Sequence, residues 1–142
     1  MSERILAVDD EPDMLKLISM IIREKTQYEI VTTNNPVEAV QIVKQGKFDL
    51  VIADLKMPGL DGVNLIKAVR EFDEDVPIII LTAYGTVESA TEAMQKGAFD
   101  FLTKPFRKEQ ILFTIEKALK FLRIQRENRM LKEELNKKCA KS

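Results

Sequence analysis

Four short apolar runs punctuate the chain: Ile5-Leu6-Ala7-Val8, Leu50-Val51-Ile52-Ala53, Ile78-Ile79-Ile80-Leu81 and, less cleanly, Phe99 to Thr103. Each is short for a helix and lacks the alternation of a half-exposed strand, so each predicts a strand covered on both faces in a parallel sheet. A fifth run, Tyr28 to Thr33, is more polar and suits a strand nearer an edge. Between the runs the period changes to that of helices. Pro12 opens Met14, Leu15, Leu17, Ile18, Ile21 and Ile22, and Asn35-Pro36 supplies a cap and a first-turn proline for Val37, Val40 and Val43. Asp61-Gly62 leads into Val63, Leu65, Ile66 and Val69, Thr86 caps Val87 to Gln95, and Gly46 and Gly97 stand where helices should stop.

Five strands alternating with five helices predict a doubly wound α/β fold, because parallel neighbours need crossovers and right-handed crossovers put helices on both faces. Ligands in such folds bind at the carboxyl ends of the strands. Strand one delivers Asp9 and Asp10 there, strand three Asp54, strand four Thr82, and strand five Lys104 followed by Pro105. Crowded carboxylates repel one another unless a cation offsets them. Mg²⁺, a hard ion that takes oxygen ligands, meets that need. Beside it a carboxylate can attack a phosphoryl group while an ammonium stabilises the transferring oxygens. Asp54 is the expected nucleophile, Asp10 a direct metal ligand, and Asp9 a ligand through water or a group that positions its partner. The backbone carbonyl of Lys56 adds a further ligand, and Thr82 offers its hydroxyl to a phosphoryl oxygen.

Composition narrows the alternatives. A chain of 142 residues, 45% hydrophobic, suits one compact domain. With no histidine, a Ser-His triad and imidazole ligands are excluded. No apolar run approaches the roughly 20 residues of a membrane span, and MSERILAVDD lacks the form of a signal segment, so the expectation is a soluble cytoplasmic protein. Cys139, the one cysteine, predicts no internal disulfide. From Arg123 onward seven Lys/Arg face three Asp/Glu, a tail of +4 on a body of −5.

Asp9-Asp10, Asp54, Thr82-Ala83 and Lys104-Pro105-Phe106, with Met57-Pro58-Gly59 after the central aspartate, together resemble the receiver domain of two-component response regulators over residues 3 to 122. The resemblance implies a flavodoxin-like receiver fold with strand order 2-1-3-4-5. It also implies phosphorylation of Asp54 by a sensor histidine kinase in the presence of Mg²⁺, and later hydrolysis of the acyl phosphate. Thr82 would move toward the phosphate and Phe101 would change rotamer. Lys104-Pro105 would be a cis-peptide candidate, Pro58 and Gly59 would shape the loop after Asp54, and Lys56 and Tyr84 would tune the phosphate lifetime. Phosphorylation adds about −1.5 to −2 charge, enough to draw in Thr82 and let Phe101 turn inward, changing the face of the fourth helix, fifth strand and fifth helix.

Plainer readings exist for each residue. Asp9-Asp10 can be a dipole-stabilised helix start, Thr82 a turn cap, Lys104 a surface cation and Phe101 a core aromatic. A degenerate receiver serving only as a dimerisation module would keep the fold without the chemistry. An aspartyl-phosphate phosphatase of the haloacid dehalogenase type wants a second aspartate where this chain has Lys56. A dinucleotide site wants glycines where it has D-D-E-P.

The last helical pattern runs past the domain. Ile111, Ile115, Ala118-Leu119 and Leu122 suit packing on the sheet, after which Phe121, Ile124, Asn128, Leu131 and Leu135 keep heptad spacing, with Asn128 placed to fix register in a parallel homodimer. Residues 1–122 are therefore read as the receiver and 123–142 as a helical, coiled-coil linker. Glu127, Glu133 and Glu134 interrupt the basic tail, which argues against nucleic-acid or membrane binding. The combination resembles the N-terminal receiver of NtrC-class, enhancer-binding transcription activators. That implies an ATPase domain and a DNA-binding domain beyond this chain.

Overall fold

The computed structural model describes residues 3–55, 62–83 and 87–140, with the side chains of 87–90 and 135–140 outside the description. Elements alternate throughout: β1 (Arg4–Val8), α1 (Pro12–Lys25), β2 (Glu29–Thr33), α2 (Pro36–Gln45), β3 (Leu50–Asp54), α3 (Gly62–Phe72), β4 (Ile78–Thr82), α4 (Val87–Gln95), β5 (Asp100–Thr103) and α5 (Lys108–Ala140). The strands form one parallel sheet in the order β2-β1-β3-β4-β5.

Side chains alternate across the pleat and so divide the core in two. Ile5, Ala7, Leu50, Ile52, Ile79 and Leu81 face one way, against Leu15, Ile18, Ile21 and Ile22 of α1 and Ile111, Ile115, Ala118 and Leu119 of α5. Leu6, Val8, Val51, Ala53, Ile78 and Ile80 face the other way, against Ala39 and Val43 of α2, Leu65, Ile66 and Val69 of α3, and Ala93 of α4. Central strands β3 and β4 are buried along their whole length, which is why each is an apolar run up to its last residue. Edge strand β2 is mostly half-exposed and correspondingly polar.

Helix ends follow local chemistry. Pro12 opens α1, and the Asn35 side chain accepts from the amides of Val37 and Glu38 at the start of α2. Gly46 closes α2, and Gly97, beyond α4, has φ +114°, a left-handed conformation suited to glycine. Thr86, the expected cap of α4, lies outside the described residues.

One fold-holding residue escaped the sequence pattern. Arg70, in the last turn of α3, donates to the Gly97 carbonyl from Nε (3.2 Å) and Nη2 (2.7 Å), and from Nη1 to the carbonyls of Asp73, Glu74 and Val76. Its fork ties the α3–β4 turn to the α4–β5 turn. Lysine has no such fork. Arg70→Lys should lower unfolding free energy by about 2 kcal/mol, read as a lower urea midpoint with unchanged slope.

Candidate functional site

The site is built where the parallel strands end. Asp54 is the last residue of β3 and Thr82 the last of β4, one position further into the ladder than the apolar runs suggest. The Leu55 amide donates to the Leu81 carbonyl (2.8 Å) and the Lys104 amide to that of Thr82 (2.7 Å), carrying the pairing past each run. Asp54 is therefore held by a hydrogen-bonded strand and is buried along with Thr82.

Carboxylate oxygens of Asp9, Asp10 and Asp54 lie within 4.8 Å of one another. Asp9 is fully buried and uses its two oxygens differently. Oδ1 accepts from the Glu11 amide at 2.9 Å, and Oδ2 accepts from Lys104 Nζ at 2.8 Å. The plainer expectation of a simple helix start fits Asp9 only in part. Its side chain shapes the turn into α1, whereas the N-cap is Glu11 and makes no side-chain cap bond. Asp10 is exposed at the rim.

Lys104 is no surface cation. Its Nζ also reaches Asp54 Oδ2 at 3.2 Å, and only 9% of its side chain is exposed. Burial alone would lower its pKa, but the hydrogen bond to Asp9 and the charges of Asp54 and Asp9 outweigh that, holding the ammonium above the ordinary lysine range. The Lys104-Pro105 bond is cis.

Among the described residues three carboxylates cluster here and one ammonium, Lys104, pairs with two of them, leaving two formal negative charges at a largely buried spot. All donors are hard oxygens. Both facts fit a small divalent cation such as Mg²⁺, held by Asp9, Asp10 and Asp54.

Gly62, the first residue of α3, matters in a way its place in the sequence did not disclose. Its amide donates to the Leu55 carbonyl at 2.7 Å, and a Cβ there would lie 2.8 Å from Leu55 Cα and 2.9 Å from the Asp54 carbonyl oxygen. Only glycine lets α3 start this close to the strand end bearing Asp54. Position alone marked it as a helix start; the close approach needs the fold.

Phe101 lies on β5 opposite Ile80 and is 38% exposed, so it is not the core aromatic of the plainer reading. Lys56, Pro58, Gly59 and Tyr84 lie outside the described residues, as does the Leu135 side chain. The tail seam is helical as expected, within α5, with Phe121, Ile124, Asn128 and Leu131 all exposed. Phe121 also packs against Phe99, the two rings tilted at 45° with centroids 5.2 Å apart. Among the described residues no helix is long and apolar enough to cross a membrane.

Comparison with known proteins adds four findings. A family model described as response regulator receiver domain matches residues 5–116. The chain is similar to transcriptional regulatory protein GlrR of Escherichia coli K12, 38% identical over 115 residues, which is 81% of this chain and 26% of that protein. It is also similar to sporulation initiation phosphotransferase F of Bacillus subtilis 168, 34% identical over 119 residues, 84% of this chain and 95% of that protein. Among solved structures, the beryllofluoride-activated NtrC4 receiver domain dimer matches with a TM-score of 0.80 at 37% identity, covering 84% of this chain and 98% of that one. The chain thus spans about a quarter of the length of the transcriptional regulator it resembles, and nearly all of the phosphotransferase.

Proposed function

This chain belongs to the response regulator receiver domain family, and on that premise we propose that it is a phosphorylation-controlled switch whose phosphoacceptor is Asp54. The carrying observation is the convergence of Asp9, Asp10 and Asp54 at the strand ends, with Lys104 paired to Asp9 and Asp54.

In this reading an Asp54 carboxylate oxygen attacks the phosphorus of a phosphohistidine presented by a sensor histidine kinase. A P–O bond forms, the P–N bond breaks, and the imidazole leaves with the electron pair. Asp9, Asp10 and Asp54 would hold Mg²⁺, which when bound would supply positive charge to offset that of the phosphoryl oxygens. Lys104 sits within ion-pair distance of Asp54 already, so its ammonium needs little movement to meet the new oxygens. Thr82 ends the strand next to Asp54's and turns its hydroxyl to the phosphoryl group. Its partner in register, Thr103, lies two residues from Phe101, so a shift at Thr82 reaches the exposed ring through one strand pair. The altered surface is that of α4, β5 and α5, and the chain acts as a phosphoacceptor with slow self-dephosphorylation at most, its lifetime tuned by Lys56 and Tyr84.

The output reading rests on the relatives. GlrR is named as a transcriptional regulatory protein, and NtrC4's receiver is a dimer when activated by beryllofluoride. By analogy this chain works in the cytoplasm as a homodimer, through the α4–β5–α5 face and the Phe121, Ile124, Asn128, Leu131 and Leu135 seam, and controls attached ATPase and DNA-binding domains.

Incubation with a small-molecule phosphodonor tests the switch. Intact mass should show one phosphoryl group per chain, dependent on Mg²⁺ and lost slowly afterwards. Continuous phosphate release would indicate a phosphatase instead. For the dimer, sedimentation with and without beryllofluoride should give different association states. A monomer in both samples removes that part of the proposal.

A further inference from the structure

At the opposite end of the sheet from Asp54, the extension of α5 meets the body through a regular set of ion pairs. Arg123 Nη2 and Nε reach Glu3 Oε1 at 2.5 and 3.1 Å, and Arg126 Nη2 reaches Asp49 Oδ1 at 3.0 Å. Arg129 engages both oxygens of Asp75, one from Nη2 at 3.0 Å and the other from Nη1. The three carboxylates precede β1, β3 and β4, which are consecutive neighbours in the sheet. Three residues of helix advance about 4.5 Å, and parallel strands lie about 4.8 Å apart. The arginine spacing therefore matches the strand spacing, and each arginine serves one strand.

The carboxylates are themselves positioned. Asp49 Oδ2 accepts from the Arg4 amide at 2.8 Å, and the Asp75 amide donates to Asp73 Oδ1 at 2.9 Å. All three acids are less exposed than their arginines. The Arg123 hydrogen bond holds the Glu3 carboxyl below its usual range in spite of burial. The charge asymmetry between body and tail finds its partner here, within one chain.

We infer that the acidic amino-terminal edge of the sheet, Glu3, Asp49 and Asp75, is a docking surface for the chain's own linker helix, which Arg123, Arg126 and Arg129 clamp across three strands. The receiver's rigid unit then continues through Arg129 instead of ending near Leu122, the last of the described α5 side chains to be buried. The clamp also fixes rotation about the helix axis. Arg126 and Arg129 continue the face that carries Ile115 and Leu122, and so Ile124, Asn128 and Leu131 point away from the body. Motion of α5 would reach any following segment as a rigid rotation. A single exposed pair contributes little, so the effect depends on the three acting together.

Hydrogen exchange of the full 142-residue chain tests the clamp, using peptides that cover residues 123–134. The substitutions Arg123→Gln, Arg126→Gln and Arg129→Gln preserve helix propensity and remove the charges. In the triple variant these amides should exchange about fivefold faster or more, while β3 amides stay unchanged as the control for folding. High salt should accelerate the same amides in the wild type. Exchanging the partners, Asp75→Arg with Arg129→Asp, should restore most of the protection that Arg129→Asp alone removes. Unchanged exchange in the triple variant overturns the proposal. So does protection that survives it and rises with protein concentration, because a second copy would then be the source.

Discussion

Asp54→Asn should abolish labelling by a phosphodonor, lowering the Mg²⁺-dependent mass gain by at least about two orders of magnitude. An amide oxygen is a far poorer nucleophile than a carboxylate, and asparagine nearly matches aspartate in shape. The end of β3 should stay as it is, because its position is fixed by the ladder to β4 and by the Leu55 amide bond to Leu81. Stability should not fall. The substitution removes one of three clustered negative charges, and Lys104 keeps its 2.8 Å bond to Asp9. Intact mass after phosphodonor treatment, beside a thermal melt, separates lost chemistry from lost fold. A mass gain equal to the wild type's would mean that the phosphoryl group sits elsewhere.

Lys104→Met should be the most destabilising charge removal in the site and should make the protein dependent on a divalent cation. Methionine keeps an unbranched chain of similar length but takes away the ammonium that lies 2.8 Å from Asp9 and 3.2 Å from Asp54. Asp9 is fully buried and Asp54 nearly so, hence water screens them poorly. Breaking a buried pair by removing one partner costs about 3 kcal/mol. In a chelator the variant should unfold at a clearly lower urea concentration than the wild type, and millimolar Mg²⁺ should recover most of the difference while shifting the wild type less. If the variant were as stable as the wild type in chelator and indifferent to Mg²⁺, Lys104 would not be the counter-ion of this cluster.

Much of the fold was legible because its cause is local. A strand covered on both faces must be apolar through its interior, so β1, β3 and β4 stand out, and their order with the helices leaves few topologies. The site was legible for a related reason, since polar residues directly after such runs have one place to go. The pairings within the site were not. That Asp9 divides its oxygens between Glu11 and Lys104, or that Gly62 lies against the Asp54 carbonyl, depends on distances across 2 to 95 positions of sequence. Arg70 looked like one charge among many in a chain that is 32% charged, because backbone carbonyls as partners leave no trace in the sequence. The tail was read by its apolar period, and the period was there. Its arginines showed only as an excess of positive charge, because the acids they meet lie 54 to 120 positions away.

The 2.7 Å bond from Gly62 to Leu55 has a consequence for how such a protein can diversify. The chain leaves β3 and enters α3 at the same point, so both ends of the stretch between Leu55 and Gly62 are anchored. Doubling the length of a flexible segment whose ends are held together costs only about 0.6 kcal/mol in closure entropy. Insertions and exchanges between these anchors therefore load neither strand nor helix. Timing and partner preference are open to variation there, while the reacting carboxylate stays where it is.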